Sequence, residues 1–379
     1  MKVVYLIYNG SNGLGGHFRS LKGLCVNWPI DFEYFIFQFG KVSSPVIESI
    51  EKSKFIKSTF LALYEIIYLS KYVKNNEITI IHCYDSISFF IGRIVSFFTG
   101  VKLLYTKCGG PNFAYTPKCN STILFSLENF DYLQDNNKEK IDYYLIPNRI
   151  ILPKCDDILL QKLKSEISYS KSKEYVFRIG NINSYYKDSI RAAFEVANSR
   201  NSENFKSVVV IIGKEYDDSL VKIINDFGNI EYYHLNDDDY TGEASKCLFV
   251  ADIVLGTGRG AMEAIGLDKE VFLYSSVLKQ VIKVSNENFM NCLYYNFSER
   301  YEHLELVGLN QENNLGDYYK EYCDAFIGNK KVLSLYEKVI LSDKKNKFYL
   351  VDFLKNYYRY LKSNIPFKKQ ISKFLVWRK

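Results

Sequence analysis

Ala251 to Val271 reads ADIVLGTGRGAMEAIGLDKEV. Ile253 to Leu255 is short and apolar on both faces, Gly256, Gly258 and Gly260 crowd the turn after it, and Ala261 to Ala264 opens a helix. A second apolar run, VFLY, starts at Val271. A strand without a polar face has to be covered on both sides, the condition of a parallel sheet. Strand, glycine turn, helix and strand in that order make one βα step of a doubly wound α/β layer.

The same signal recurs outward. YVFRI (Tyr175 to Ile179), VVVIIG (Val208 to Gly213) and IEYYH (Ile230 to His234) read as further strands of this half. Nearer the start, VVYLIY (Val3 to Tyr8), ITIIHC (Ile78 to Cys83), VKLLYT (Val101 to Thr106) and TILFSL (Thr122 to Leu127) do so for another. Phe60, Leu63, Ile67 and Leu69 to Val73 are spaced as one helix, and Ile87, Phe90, Ile91, Ile94 and Phe97 as a second. The alternation pauses between Ile146 and about Lys171, across Pro147, Asn148 and Pro153, and then restarts. Two sheets are implied, and 379 residues is a length that favours two domains. The reading divides the chain into residues 1–165, 166–345 and 346–379, helical and aromatic beyond Val332.

Bulk chemistry removes several classes. Eight cysteines without a C-x-x-C pair and only four histidines argue against a zinc site. MKVVYLIYNG runs straight into a glycine turn, so no cleavable leader is expected, and the expected location is cytoplasmic with reduced thiols. The most apolar stretch, Ser86 to Tyr105, carries Arg93 near its middle and is broken by Gly100 and Lys102, so it reads as helix and strand rather than membrane span. No acidic residue follows Asp352, and the net charge of +6 is concentrated there on a nearly neutral body. That placement points away from nucleic acid, which needs a basic groove or face of the fold.

Three clusters carry candidate chemistry. In Asn9-Gly-Ser-Asn-Gly-Leu-Gly-Gly-His17, Gly15 and Gly16 let backbone N–H groups approach an anion at a helix start. The same turn also serves as a plain strand-to-helix connection, and its spacing is not that of a dinucleotide fingerprint. In Gly256 to Ala264, Glu263 can accept hydrogen bonds from two vicinal hydroxyls, or simply complement the helix dipole. In Phe177 to Asp188, Arg178 and Lys187 can converge on a diphosphate across a strand end and a helix start, with Lys187 as a solvated charge the alternative. His82 ends a strand at the sheet edge where α/β ligands bind, and a satisfied core histidine is the competing reading. His17 stands similarly. Lys107, Gly109 and Gly110 end another strand at that edge, where glycines suggest close backbone approach to a second substrate.

In this order, these elements resemble the GT-B glycosyltransferases, in particular the family-4-like retaining enzymes of bacterial surface-polysaccharide synthesis. The likeness covers nearly the whole chain. It rests on Gly15-Gly16, IIHCYDSISFFIGRI (Ile80 to Ile94), IPNR (Ile146 to Arg149), RIGNINSYYKDS (Arg178 to Ser189) and residues 251–271. It implies two Rossmann-like doubly wound domains facing across a cleft, an acceptor-side domain and a donor domain, with C-terminal helices crossing back. It also implies a nucleotide-diphosphate sugar, UDP-linked, as donor, transferred with retention to a lipid-linked or growing saccharide, without metal or cofactor. Glu263 would match the second Glu of the family's E-x7-E motif and hold the ribose. Arg178 or Lys187 would neutralise the leaving diphosphate, Gly15, Gly16 and Gly180 would donate or clear space for backbone contacts, and Gly258, Arg259 and Gly260 would line the sugar. His82 is kept as a catalytic candidate, with His17, Lys107, Gly109 and Gly110 on the acceptor side.

Two positions depart from that pattern: Leu255 stands where the first motif Glu would be, and Asn181 where many relatives have Arg. The missing first Glu leaves room for a degenerate non-catalytic subunit, and a sugar-nucleotide epimerase of the same fold is the other alternative. The tail adds one more expectation. Phe367, Ile371, Phe374 and Leu375 recur at helical spacing, with Trp377, among Lys368, Lys369, Lys373, Arg378 and Lys379, a composition suited to the inner surface of an anionic membrane.

Overall fold

Every residue of β1 (Lys2–Asn9) from Val3 onward is buried, so this strand takes the middle of its sheet. Val3, Tyr5 and Ile7 point into one apolar core and Val4, Leu6 and Tyr8 into another, the two-residue period of a strand covered on both faces. In the computed structural model the remaining strands of this unit are β2 (Glu33–Gly40), β3 (Ser53–Lys57), β4 (Ile80–Cys83), β5 (Lys102–Lys107), β6 (Ser121–Leu124) and β7 (Asp142–Leu145). They form one sheet in the order β3-β2-β1-β4-β5-β6-β7, parallel throughout. α1 (Gly16–Val26) and α2 (Pro45–Glu48) cover one face, α3 (Leu63–Asn75) and α4 (Ser86–Thr99) the other, and α5 (Leu127–Asp135) follows β6. Asp85 caps α4 by accepting from the Ile87 and Ser88 N–H groups, and Gly100 ends it in the left-handed region. The structure describes all residues except 12, 27–31, 60, 113–114, 203–204, 305–313, 345, 347–348 and 365–379. Phe60 of the expected helix and the basic tail therefore lie outside the described residues.

The second unit opens with α6 (Asp157–Glu166) and continues through β8 (Lys173–Ile179), α7 (Lys187–Arg200), β9 (Lys206–Ile212), α8 (Ser219–Asp226), β10 (Tyr232–Leu235) and α9 (Asp238–Gly242). Then come β11 (Ile253–Leu255), α10 (Arg259–Gly266), β12 (Glu270–Ser275), β13 (Gln280–Lys283), α11 (Phe289–Tyr294) and α12 (Leu315–Tyr322). The sheet order is β10-β9-β8-β11-β12-β13, parallel except for the antiparallel β13 at its edge. Tyr175 and Phe177 enter one core, and Val176 enters the other with Val209 and Ile211.

The compact units are Met1–Arg149 with the chain from Gly328 onward, and Ile150–Ile327. The sequence reading sets its boundaries at 165 and 345. Where the pattern pauses, α6 forms instead, and Ile150, Leu160, Leu163 and Ile167 join the core of the second unit. From α13 (Ala325–Leu341), Val332, Leu335, Tyr336 and Val339 join a core of the first.

α14 (Leu350–Asn364) completes the first unit by lying along α4. Its Asp352 meets Arg93 at 3.1 Å, both side chains being almost fully buried. The Asp352 carboxylate also accepts from the Tyr115 hydroxyl, the Lys118 N–H (2.9 Å) and Asn356 Nδ2 (3.1 Å). Arg93 in turn donates to the Lys118 carbonyl and lies 4.7 Å over the Phe89 ring. The charge that argues against a membrane span is thus the anchor of α14. Among the described residues no helix is long and apolar enough to cross a membrane. Removing one member of a buried pair strands the other charge at a cost of about 3–5 kcal/mol. Asp352→Ala should therefore lower the urea midpoint of the first unit sharply, whereas Arg93→Met with Asp352→Leu should recover most of the loss.

Candidate active site

Strand order reverses at one place in each sheet, between β1 and β4 in the first unit and between β8 and β11 in the second. Connections leave such a point toward opposite faces and open a crevice at the carboxyl ends of its two strands. In the second unit β8 delivers Arg178 there. Its guanidinium is buried, donates to the Ile179 carbonyl and to Ser189 Oγ (3.1 Å), and lies 5.8 Å over the Tyr186 ring. Glu299 Oε1 is 4.0 Å from Nη2. Burial lowers the Arg178 pKa and raises that of Glu299, each opposed by the other's charge. Gly180 follows with φ +151°, and a Cβ there would stand 2.6 Å from Arg178 Nη1. Lys187 opens α7, half-buried, with no ion-pair partner among the described residues.

Gly256 follows β11, and its position leaves no room for a Cβ against the Ala261 backbone at 2.7 Å. The turn is held by the Gly258 N–H donating to the Phe297 carbonyl at 2.6 Å. Arg259 and Glu263 then stand one turn apart on α10, with Nε and Nη2 donating to Oε1 at 3.2 and 3.1 Å. Glu263 is only 7% exposed, so this pair is more than a solvated helix charge. Leu255, eight residues earlier, ends β11 fully buried and packs in the core.

Residues 296–301 connect these parts. Phe297 accepts from the β11 turn, Glu299 faces Arg178, and the Glu299 and Tyr301 carbonyls accept from Ser276 and Ser275 at the end of β12. Sequence reasoning misses this loop, because nothing in Asn296-Phe297-Ser298-Glu299 marks a long-range role. Its backbone gives a sign only in three dimensions, with Asn296 and Phe297 both at positive φ.

In the first unit Gly15 immediately precedes α1 and Gly16 is its first residue, at the β1/β4 reversal. The loop is pinned by Ser44 Oγ donating to the Gly13 carbonyl (2.6 Å) and Asn9 Nδ2 donating to the Ser43 carbonyl (3.1 Å). His17 lies 4.1 Å from the Phe18 ring, and burial lowers its pKa from 6.5 to about 4. His82 does not reach the edge as a ligand would. It is fully buried, with Nδ1 2.7 Å from the Tyr336 hydroxyl and Nε2 2.6 Å from Thr106 Oγ1. Burial and the nearby Arg149 cation hold it neutral, and this is the satisfied core histidine of the two readings. Lys107 also turns inward, donating to the carbonyls of Gly109 (2.8 Å) and Gly110 (3.2 Å) and to Asn129 Oδ1 (2.8 Å). It shapes the Gly109-Gly110 loop, whose two glycines both have positive φ. Cys108 beside it has its pKa pushed up to about 12 by burial, which removes it as a thiolate. Among the described residues no three His, Cys, Asp or Glu side chains gather as metal ligands do.

No protein-family model matches the chain, and no curated protein resembles it significantly in sequence. Solved structures do match it. HepE from Anabaena, in complex with UDP, superposes with a TM-score of 0.62 over 89% of this chain and 100% of its own, at 12% identity. A glycosyltransferase from Rickettsia africae gives 0.61 over 90% and 99%, also at 12% identity. A putative UDP-N-acetylglucosamine 2-epimerase from Listeria monocytogenes gives 0.54 over 92% and 100%, at 13% identity. The fold is GT-B. At such identities the likeness establishes the two Rossmann-like α/β units and leaves the chemistry to the residues.

Two outcomes test this geometry. Gly180→Ala forces the Arg178 guanidinium aside and strains the backbone, and should lower the stability of the second unit by about 1–3 kcal/mol in urea denaturation. The His17 pKa is depressed on folding, so its contribution to stability is complete above pH 6.5 and is lost as pH falls toward about 4. A His17→Gln variant should show a flatter fall of Tm across that window than wild type.

Proposed function

We propose that the chain transfers a sugar from a nucleotide-diphosphate sugar, UDP-linked, to a saccharide or lipid-linked saccharide acceptor of surface-polysaccharide synthesis, with retention at the anomeric carbon. The observation that carries this reading is the set of groups around the β8/β11 reversal: Arg178, the half-buried Lys187, and the Arg259–Glu263 pair on α10. The Anabaena relative in fold is crystallised with UDP and with UDP-glucose, which supports the donor class.

In this reading Lys187 meets the diphosphate, since it has a cation to offer and no ion pair to break among the described residues. Arg178 adds charge from beneath while Ser189 and Glu299 fix its plane. Glu263 holds the ribose through its second oxygen, Oε1 being taken by Arg259. Gly258 and Gly260 let the sugar approach the α10 turn, and the side-chain cations take the leaving-group charge, so no metal or cofactor is required. The acceptor is taken at the carboxyl edge of the first sheet, by His17 and the Gly109-Gly110 loop that Lys107 shapes. Attack and departure share one face of the sugar, the acceptor proton passing to the donor's own phosphate. The enzyme works on the cytoplasmic membrane surface, where the basic tail attaches it.

An epimerase of the same fold is the second reading, favoured by the Listeria likeness. It predicts conversion of the donor without acceptor. The test is product analysis with a panel of UDP-sugars, with chelator present, alongside UDP titration of variants. Glu263→Ala and Lys187→Ala should each weaken UDP binding about ten-fold or more, as loss of a charged hydrogen bond does. Unchanged UDP affinity in Glu263→Ala, with no turnover of any donor, would sink the transfer reading.

A further inference from the structure

α3, α4 and α14 form one layer over the first sheet, their inward residues sharing a single core. The outward side of that layer is unusually apolar. α3 presents Leu63, Tyr64 and Ile67 to solvent, α4 ends in Phe97 and Phe98, and α14 presents Leu350, Val351, Leu354 and Tyr358, each half or more exposed. Scattered apolar residues are ordinary on a surface, but several neighbouring helices all showing them mark an interaction face.

The charge pattern identifies the occupant. On β3, α3, α4 and α14 the charged side chains that are exposed are Lys54, Lys57, Lys71, Lys74, Lys355 and Lys362, all positive. Arg359 adds a partly buried cation stacked on Tyr115. The two carboxylates in these elements are withdrawn: Asp352 is buried against Arg93, and Glu65 is buried accepting from Thr59 and Tyr360. At the sheet edge an open groove of about 540 Å³ is lined by Lys54, Phe55, Lys57, Ser58, Thr59 and Tyr64. Two lysines with hydroxyls and an aromatic ring suit a phosphate head group. The last described residue, Asn364, accepts from the Tyr8 hydroxyl at 3.0 Å, at the carboxyl edge of the same sheet.

We infer that the α3–α4–α14 face is a membrane-docking surface that seats the first unit on an anionic bilayer, independently of the tail. Apolar side chains ringed by lysines fit that partner, because acyl chains receive the former and acidic head groups the latter. A second copy of the chain fits poorly, since two all-positive faces repel. The inference does not depend on the transfer reading, as vesicle binding is measured without donor.

The test floats the full-length protein with vesicles of phosphatidylcholine alone and of phosphatidylcholine with phosphatidylglycerol, about three to one. Wild type should float only with the mixed vesicles. Leu354→Glu with Tyr358→Glu, and separately Lys355→Glu with Lys362→Glu, should each cut binding about five-fold or more while Tm and UDP affinity stay unchanged. Reversing the tail charges (Lys368→Glu, Lys369→Glu, Lys373→Glu) should weaken binding but leave it measurable. The inference is overturned if either face variant binds as wild type does, if the tail variant alone abolishes binding, or if neutral vesicles bind equally. It is equally overturned if the Leu354→Glu/Tyr358→Glu change dissociates a dimer that binds no vesicles.

Discussion

Both units depend on strands that have no polar face. β1 sends alternate side chains into two cores, and β8 does the same with Tyr175, Val176 and Phe177. Such strands cannot form an outer wall, so helices must cover both faces, and the connections must leave in both directions from a central strand. The reversal this imposes, at β1/β4 and at β8/β11, determines where the glycine turns end up. Hydrophobic burial thus places both glycine turns, and in the second unit Arg178 and Glu263 with them.

The two crevices use a common spatial device. Gly40 ends β2 and lies so near the end of β1 that a Cβ would be 2.0 Å from the Asn9 carbonyl oxygen. Gly213 follows β9 and stands in the same relation to Gly180 at the end of β8. In each unit the neighbouring strand needs a glycine for its chain to pass beside the central loop. Beyond that the crevices diverge. The second gathers cations and Glu263, whereas the first buries its histidine in hydroxyl contacts and its Lys107 in carbonyl contacts.

Much of this was legible from the residues. Apolar runs located the central strands, and glycine spacing located both turns, because burial and close approach are local demands. The edge strands β3 and β13 were not, since SKFIK and QVIK are short and half polar, and their pairing is decided by neighbours. β2 carries a strong aromatic run, EYFIFQFG, whose place shows only in its pairing with β1 and β3. The pause after Ile146 concealed α6, a helix with the Asp156 cap and a modest apolar face. Side-chain roles were the least legible. His82 and Lys107 occupy the strand ends where ligands bind, yet Tyr336, Thr106 and Asn129, distant in sequence, draw them inward. Glu299 was invisible for the converse reason: its importance comes from facing Arg178, 121 positions earlier in the chain.

The Arg93–Asp352 pair also bears on how the chain comes to be folded. Everything the second unit needs lies between Ile150 and Ile327, so it can close as soon as that stretch has left the ribosome. The first unit is synthesised earlier but must wait. Until α14 emerges, Arg93 has no counter-ion and the aromatic groove that later receives Phe353, Tyr357 and Tyr360 stays open to water. The half made first is therefore the half finished last, and for that interval its uncovered side is what a chaperone would meet.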